Sequence, residues 1–306
     1  MGVRQMTGIM TVSVVVCTYN RREWLERCLA GVQALDPPPH EVIVVDGPST
    51  DGTRELLRKL QEQRRVKLVP QDSLDGISAA RNLGLGAVTA DLVCFLDDDA
   101  IPDSGWVGAI ISGYDGDKVG GVGGPVQNMS GELAMGKNAV SMYGDWRDES
   151  RGESIDGLYP VMVGCNMSFR TDVLRSVGAF DPYFRYHQDE TDACLRVVLA
   201  GYSIKYVEGA NVRHEWCEGS YRKDRLKWYL KLRYMWGRNN AHLVSKNFSG
   251  KVTLGGYLAH QAMLAAGKRS FIASSSRPQS DQATIPRPLI WMGAAFEVYG
   301  SLAGWR

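Results

Sequence analysis

The near-continuous apolar run from Val12 to Cys17 constrains the fold of this sequence most strongly. Such β-branched runs are typical of strands that are buried on both faces of a sheet. Helix-spaced apolar residues follow from Trp24 to Leu35, and Glu41 to Val45 predicts a second buried strand. The alternation continues with a helix that carries Leu56, Leu57 and Leu60, a strand at Val66 to Val69, a helix at Ser78 to Val88 and a strand at Asp91 to Leu96. It predicts an α/β fold with a Rossmann-like, open, twisted and mostly parallel sheet.

Polar side chains follow three of these predicted strands at the point where each strand ends. The segment Thr18, Tyr19 and Asn20 follows the first strand, Asp46 follows the second, and Asp97-Asp98-Asp99 follows the fourth. In open α/β sheets, ligands bind at the carboxyl ends of parallel strands. We therefore expect these side chains to share one crevice.

The rest of the chain predicts fewer regular elements. Residues 113–164 are rich in Gly and polar residues, which indicates loops and short strands. The sequence predicts a catalytic domain at 1–215 and a basic, mainly helical region at 216–306. Further predicted elements are short helices at Asp172 to Val177 and Asp189 to Ala200, a strand at Tyr202 to Val207, a long helix at Arg222 to Lys246, a linker at 270–288 and a terminal helix at Leu289 to Trp305.

The net charge of +1 conceals an uneven distribution along the chain. Residues 1–212 sum to −9, whereas residues 213–306 hold 15 basic and 5 acidic residues and sum to +10. The balanced total gives no argument for a nucleic-acid partner. The basic C-terminal part favours either peripheral attachment to an anionic membrane or an ordinary solvated basic face.

The cysteine pattern and the lengths of the apolar stretches indicate the cellular compartment. None of the six cysteines forms a C-x-x-C pair, and most lie in apolar runs, which indicates reduced thiols. No stretch approaches the roughly 20 apolar residues that span a bilayer. We therefore expect a cytoplasmic protein, with attachment to the inner face of a membrane still open.

The Asp97-Asp98-Asp99 cluster is a candidate metal site. Carboxylate oxygens are preferred by Mg²⁺ and Mn²⁺, and such a cation bridges protein carboxylates to substrate phosphates. Asp97 and Asp99 point to the same side of an extended segment, so they form the natural ligand pair. The alternative is an acidic, solvated turn.

Two further segments carry candidate chemistry. Asp189, Glu190 and Asp192 open a predicted helix, where acids also serve as helix caps. A carboxylate here could instead act as a general base toward a hydroxyl. Arg81, among small residues of another helix, suits a diphosphate, although an ordinary surface ion pair is equally open.

These motifs together resemble the family 2 inverting glycosyltransferases of the GT-A fold, over roughly residues 11–247. The matching landmarks occur in family order and are the strand and turn at 14–21, the segment Val44 to Thr53, the A-R-N-x-G-like helix at Gly76 to Gly84, the D-x-D motif in Phe95 to Pro102, the segments Gly164 to Arg170 and Gly178 to Asp181, and the E-D-x-D-like run at Asp189 to Asp192. The resemblance implies transfer of a sugar from a nucleoside-diphosphate sugar to an acceptor hydroxyl, with Mg²⁺ or Mn²⁺.

The resemblance also implies residue roles. Glu190 would be the general base, with Asp189 as its rival because their order departs from the family's E-D. The other implied sets are donor contacts at Thr18, Tyr19, Asn20, Asp46, Arg81, Asp97 and Asp98, metal contacts at Asp97, Asp99 and His214, and acceptor-side contacts at Gly164, Asn166 and Asp192. His214 is open to a purely structural role.

Two other functions remain open at this point. A nucleotidyltransferase could share the fold and the metal, but its usual glycine-rich first loop is absent, since this loop reads Thr18-Tyr19-Asn20-Arg21. A non-catalytic sugar-nucleotide-binding relative is disfavoured because both acidic clusters are intact.

Overall fold

The computed structural model describes residues 10–215, 225–266 and 298–305. Within these ranges the α/β prediction is confirmed, since strands and helices alternate through the first hundred residues. The strands are β1 Val12–Thr18, β2 Glu41–Asp46, β3 Lys67–Pro70, β4 Leu92–Asp97, β5 Ala100–Pro102, β6 Val119–Gly123, β7 Val126–Gln127, β8 Leu133–Met135, β9 Asn138–Val140, β10 Trp146–Asp148, β11 Tyr159–Val161, β12 Met167–Arg170, β13 Ser203–Tyr206 and β14 Val212–His214. The helices are α1 Arg22–Gln33, α2 Thr53–Glu62, α3 Ile77–Ala87, α4 Trp106–Gly113, α5 Thr171–Ser176, α6 Asp189–Leu199, α7 Arg225–Phe248 and α8 Leu254–Ala266, and residues 298–304 are also helical.

In the described part of the chain, seven strands form the main sheet, in the order β13-β6-β12-β4-β1-β2-β3. β1 lies between β2 and β4 and is parallel to both. Its valines Val14, Val15 and Val16 are fully buried, as the β-branched run predicts for a strand covered on both faces. The register places Thr18 opposite Asp46 and Cys17 opposite Asp97, so the polar strand ends meet at one edge.

β12 is the exception to the parallel pattern, because it runs antiparallel to both β4 and β6. It leads from the turn around Cys165 back into the sheet. The reversal therefore brings residues 163–166 to the same edge as the carboxyl end of β4.

A second sheet continues from the acidic cluster. β5 follows Asp99 directly and pairs antiparallel with β14, and the order of this sheet is β5-β14-β7-β8. The register sets His214 opposite Ala100, and the Glu215 N–H donates to the Asp99 carbonyl at 2.9 Å. A short three-stranded sheet has the order β10-β9-β11.

The described residues form two compact units. The first comprises 10–139 and 146–215, and the second comprises 140–145, 225–266 and 298–305. The proposed boundary at 215/216 stays a prediction; what the sequence did not indicate is that 140–145 belong with the C-terminal helices.

Inside the second unit, the loop at 140–145 is held by side chains of α7 and α8. The ring of Tyr143 stacks on His260 with centroids 4.4 Å apart, and His260 Nε2 lies 2.6 Å from Asp145 Oδ2. Asn240 Nδ2 donates to the Tyr143 carbonyl at 3.2 Å. The long helix predicted at Arg222 to Lys246 is observed as α7, whereas the predicted linker at 270–288 lies outside the described residues.

No helix within the described ranges is both long enough and apolar enough to cross a bilayer. The described cysteines at positions 17, 28, 94, 165 and 194 are free thiols, as expected, and Cys217 lies outside these ranges.

Candidate active site

The Asp97-Asp98-Asp99 cluster occupies the turn between β4 and β5, where it meets His214. His214 Nε2 lies 3.0 Å from Asp99 Oδ1 and 3.7 Å from Asp97 Oδ2. Burial by itself lowers the pKa of His214, but the two carboxylates outweigh it and raise that pKa to about 9. The predicted metal set Asp97, Asp99 and His214 is thus assembled at one point.

Asp98 has different partners from its two neighbours. Thr18 Oγ1 donates to Asp98 Oδ2 at 2.7 Å, and Arg21 lies 3.4 Å from Asp98 Oδ1. Burial raises the pKa of Asp98 to about 7, against the opposing effects of Arg21 and Thr18. The central carboxylate therefore ties the turn after β1 to the turn after β4.

Arg21 is a site residue that our sequence analysis did not identify. Its Nη2 donates to Asp99 Oδ2 at 2.6 Å, and about a third of its side chain is exposed. The available signal was its place directly after Asn20 in the first strand-end loop, where a basic residue faces acidic strand ends.

The donor atoms fit the expected cation. Asp97 and Asp99 offer carboxylate oxygens and His214 offers a ring nitrogen, a set that suits Mn²⁺ or Mg²⁺. Cys165, which sequence reasoning treated only as part of a motif, also lies here. Its Sγ, a carboxylate oxygen of Asp97 and a ring nitrogen of His214 all lie within 4.8 Å of one another.

Arg81 connects the two acidic clusters. The guanidinium pairs with Asp189, lies 3.4 Å from Asp97 Oδ1 and donates to the Gly164 carbonyl at 3.1 Å. Only 5% of Arg81 is exposed. Its position between a strand-end carboxylate and the start of α6 makes it a fixed cation inside the site, not a surface ion pair.

The start of α6 is held in an uncommon backbone conformation. His187 has φ 63° and Gln188 has φ 69°, both in the left-handed region that non-glycine residues seldom adopt. Such geometry costs free energy and is concentrated at functional sites. It places Asp189 against Arg81, while Glu190 follows as a partly buried side chain.

The pKa of Glu190 is raised well above its ordinary value. Burial is the main cause, and the charge of Asp189 together with a hydrogen bond that the protonated Glu190 donates to it adds to the effect. A carboxylate with a raised pKa is a stronger base when ionised, which suits proton abstraction. In contrast, burial lowers the pKa of His187, three residues before Glu190, to about 4. The His187 imidazole is therefore neutral at pH 7.

The predicted donor contacts Thr18, Tyr19, Asn20 and Asp46 lie at adjacent strand ends. Asp46 is fully buried, pairs with Arg54 and accepts from Ser49 Oγ at 2.6 Å. Tyr19 is 40% exposed. The described bonds of Asn20 join two loops, since its N–H donates to Ser49 Oγ at 2.9 Å and its Oδ1 accepts from the Thr50 N–H at 2.7 Å.

The predicted acceptor-side residues are less alike. At Gly164, a Cβ would lie 2.9 Å from Arg81 Nη2, so any larger residue would require the guanidinium to shift. Asn166 is fully buried and donates to the carbonyls of Pro125 and Ala210 at 3.1 and 2.8 Å. Its Oδ1 accepts from the Trp106 indole at 3.0 Å. The Asn166 amide therefore links three segments of the protein by hydrogen bonds.

Asp192, the third predicted acceptor-side residue, is fully buried. It accepts from Arg196 Nε at 2.9 Å, which fastens one turn of α6. Contact of these three residues with an acceptor stays a prediction.

Comparison with known proteins identifies the family that shares this fold and these site residues' region of sequence. The model of a family described as "Glycosyl transferase family 2" matches residues 13–178, more than half of the chain. The chain belongs to glycosyl transferase family 2. The matched region of this family 2 chain contains Asp97-Asp98-Asp99, Arg81 and the turn at 163–166, whereas α6 and His214 follow it.

Curated relatives have related names. Glycosyltransferase AglE of Haloferax volcanii is 31% identical over 198 residues, which cover 64% of this chain and 64% of AglE. The pre-mycofactocin glycosyltransferase of Mycobacterium tuberculosis is 28% identical over 67% of this chain, but the match spans only 42% of its own length. The chain therefore matches less than two thirds of either relative.

Solved structures show the same fold at low identity. A mannosyltransferase from Pyrobaculum calidifontis in complex with GDP-Man and Mn²⁺ has a TM-score of 0.59 at 18% identity, over 97% of this chain and 88% of that one. GalNAc-T7 with UDP, GalNAc and Mn²⁺ has a TM-score of 0.62 at 15% identity, over 95% of this chain and 55% of that one. The expected GT-A fold of this family 2 chain is confirmed.

Proposed function

We propose that this protein is an inverting glycosyltransferase that moves a sugar from a nucleoside-diphosphate sugar to an acceptor hydroxyl with the help of Mn²⁺ or Mg²⁺. Family membership supports transfer of a sugar. The names of two similar solved structures include a nucleotide or nucleotide sugar with Mn²⁺, which supports the same class of donor and cation.

The single observation that carries the proposal is the Asp97–Arg81–Asp189 bridge. It places the carboxyl end of β4, where a diphosphate and its cation would bind, beside the acid-rich start of α6. A transferase that inverts configuration needs a leaving-group site and a base in one cavity, on opposite faces of the reacting carbon. In support of such an arrangement, the Arg81 guanidinium contacts one acid from each of these two regions.

Donor binding is assigned to the strand ends. Asp97, Asp99 and His214 would hold the cation, which would supply positive charge to offset that of the diphosphate leaving group. Arg81 adds a second, permanent positive charge for the same phosphates. Thr18, Tyr19 and Asp46 would bind the nucleoside, with Tyr19 as the exposed aromatic surface.

Proton transfer is assigned to Glu190. Its carboxylate would accept the proton of the acceptor hydroxyl as that oxygen attacks the anomeric carbon. Asp189 already pairs with Arg81, so its charge is committed to positioning the guanidinium. Of the two acids, Glu190 is therefore the one whose carboxylate is left to act as the base.

A donor screen tests the proposal. The protein is incubated with a panel of nucleoside-diphosphate sugars and simple hydroxyl acceptors, and release of nucleoside diphosphate is measured with Mn²⁺, with Mg²⁺ and with EDTA. We expect cation-dependent release from at least one donor, with inverted configuration of the product by NMR. Release of pyrophosphate instead would indicate a nucleotidyltransferase, and full activity in EDTA would contradict the metal assignment.

We also infer peripheral attachment to an anionic membrane through the C-terminal region. Support comes from its charge of +10 over residues 213–306 and from exposed apolar side chains in the second unit. Met263 is 73% exposed, Tyr299 is 67% exposed and Leu302 is 52% exposed. Basic residues combined with exposed apolar and aromatic side chains are typical of surfaces that lie on a bilayer.

A further inference from the structure

Cys165 lies at the tip of a tight turn whose flanking residues are both anchored. The Asn166 N–H donates to the Val163 carbonyl at 2.9 Å, which closes the turn. On one side of the thiol the Gly164 carbonyl accepts from Arg81, and on the other the Asn166 amide bonds to three protein groups. Because both neighbours are anchored, the backbone that carries the Cys165 side chain is fixed in position.

This thiol faces two members of the expected metal set. Cys165 Sγ, a carboxylate oxygen of Asp97 and a ring nitrogen of His214 lie within 4.8 Å of one another. Ligand atoms around a tetrahedral cation, with bonds of about 2.0–2.3 Å, lie roughly 3.4 Å apart. The half-exposed side chain of Asp97 leaves room for the small adjustment that would close the triad.

Asp97 and His214 therefore belong to two overlapping donor sets. With Asp99 they form an oxygen-rich set, which suits Mg²⁺ and Mn²⁺. With Cys165 they form an oxygen, nitrogen and sulfur set, which suits thiophilic cations such as Zn²⁺ and Cd²⁺. Because the two sets share two ligands, a cation bound to one set competes with a cation bound to the other.

We propose that Cys165 is a ligand for thiophilic divalent cations, so that Zn²⁺ or Cd²⁺ binds through Asp97, Cys165 and His214 in place of Mg²⁺ or Mn²⁺. On binding, the thiol releases its proton to solvent and the sulfur forms the bond to the cation, with no change of oxidation state. The consequence for turnover, inhibition by micromolar Zn²⁺ or Cd²⁺, rests on the proposed function. Binding itself does not.

Metal binding without donor or acceptor tests the proposal. The full-length, metal-free protein is titrated with Co²⁺ and with Cd²⁺, and the near-ultraviolet charge-transfer absorption of a metal–thiolate bond is recorded. We expect this band in the wild-type protein and its loss in Cys165→Ala. Calorimetry should show Cd²⁺ affinity falling at least about tenfold, since even the loss of outer-shell partners costs that much.

Cys17→Ala is the matched control. Cys17 is a second thiol at the same sheet edge, less buried than Cys165 and directly opposite Asp97 in the register. This variant should keep the band, whereas Asp97→Asn and His214→Ala should weaken it. A band that persists in Cys165→Ala, or that is insensitive to both ligand substitutions, would overturn the proposal.

One measurement on the wild-type protein is also needed, because a substituted variant could fail to fold. The chemical shift in cadmium NMR reports whether sulfur is bound, and a shift without sulfur would refute the role of Cys165. Neither readout needs sugar transfer. A protein that transfers sugar without a thiolate band therefore refutes this inference alone, and a band without transfer refutes only the proposed function.

Discussion

At the scale of single residues, Glu190 and Asp189 are adjacent acids with different surroundings. Asp189 is buried and paired with Arg81, whereas Glu190 is partly exposed and has a raised pKa. Their substitutions should therefore fail in different ways, and comparison of the two assigns their roles.

Glu190→Gln should remove the base and keep the shape of the site. We expect turnover to fall by about 10²–10⁴-fold, which is the usual contribution of a general base, while binding of nucleoside diphosphate is retained. Initial-rate kinetics and calorimetric titration measure the two quantities. Near-normal turnover would exclude Glu190 as the base.

Asp189→Asn should instead destabilise the protein. It leaves the Arg81 guanidinium buried without its main counter-charge, and breaking such a pair typically costs about 3–5 kcal/mol. Denaturant unfolding of this variant beside Glu190→Gln measures the difference. If both variants unfold at the wild-type denaturant concentration, the structural role of the ion pair is wrong.

The pH dependence of turnover follows from the raised pKa of Glu190. The protonated carboxyl cannot accept a proton, so kcat should fall as the pH drops through that pKa. Because the pKa lies well above the ordinary 4.5, the acidic limb should lie at correspondingly higher pH. A kcat measured with saturating donor that stays flat down to pH 4.5 would contradict this assignment.

At the scale of elements, helix α3 is positioned by its first residues. Gly76 has φ 99°, and a Cβ there would lie 2.5 Å from the Cα of Arg185. The Ile77 N–H donates to the Arg185 carbonyl at 3.0 Å, and Ser78 Oγ donates to the Phe184 carbonyl at 2.6 Å. The loop before α6 thus sets the start of the helix that carries Arg81.

Gly76→Ala should therefore damage both stability and the site. A side chain in this backbone region costs about 1–3 kcal/mol before the clash is counted. The matched control is Gly86→Ala in the same helix, where a Cβ meets nothing within 4 Å and should stabilise by up to about 1 kcal/mol. Thermal unfolding of the two variants should shift in opposite directions, and a shared direction would contradict the packing argument.

The elements that could be predicted from the sequence are those that their own run of apolar residues identifies. β1, β2 and β4 have mostly apolar, buried interiors and were predicted within one or two residues of their observed ends. The reversal of β12 could not be read in this way, because strand direction depends on the partner and not on the strand's own residues. The short pair β5 and β14 gave too little pattern to identify.

The candidate site shows the same division. The strand-end acids were visible because three adjacent carboxylates after an apolar strand are uncommon. Arg21 and Cys165 were not selected, since their relevance comes from neighbours distant in sequence, such as Asp99 and His214. Asn166 illustrates the reverse case, because a buried structural amide and a ligand-binding amide look alike in sequence.

At the scale of the whole molecule, the opposite charges of the two parts of the sequence suggest where the protein works. The C-terminal region is basic and its described helices expose apolar side chains, a combination that binds anionic surfaces. The acidic remainder of the chain would be repelled by the same surface.

Vesicle co-sedimentation measures this attachment. We expect binding to vesicles that contain anionic lipid at low salt, release at about 0.5 M salt because the Debye length becomes short, and no binding to neutral vesicles. Lys227→Glu with Lys231→Glu, both exposed on α7, should weaken binding. Absence of binding at low salt would leave the basic region as an ordinary solvated face.

The shared guanidinium of Arg81 has a further consequence for how variants of this protein combine. Because one cation serves Asp97 and Asp189, neutralising either acid changes the field felt by the other. Free-energy changes of Asp97→Asn and Asp189→Asn should then be non-additive in a double-mutant cycle. The two acidic clusters would then be energetically coupled. The free-energy change of a substitution in one cluster could not be assigned to that cluster alone.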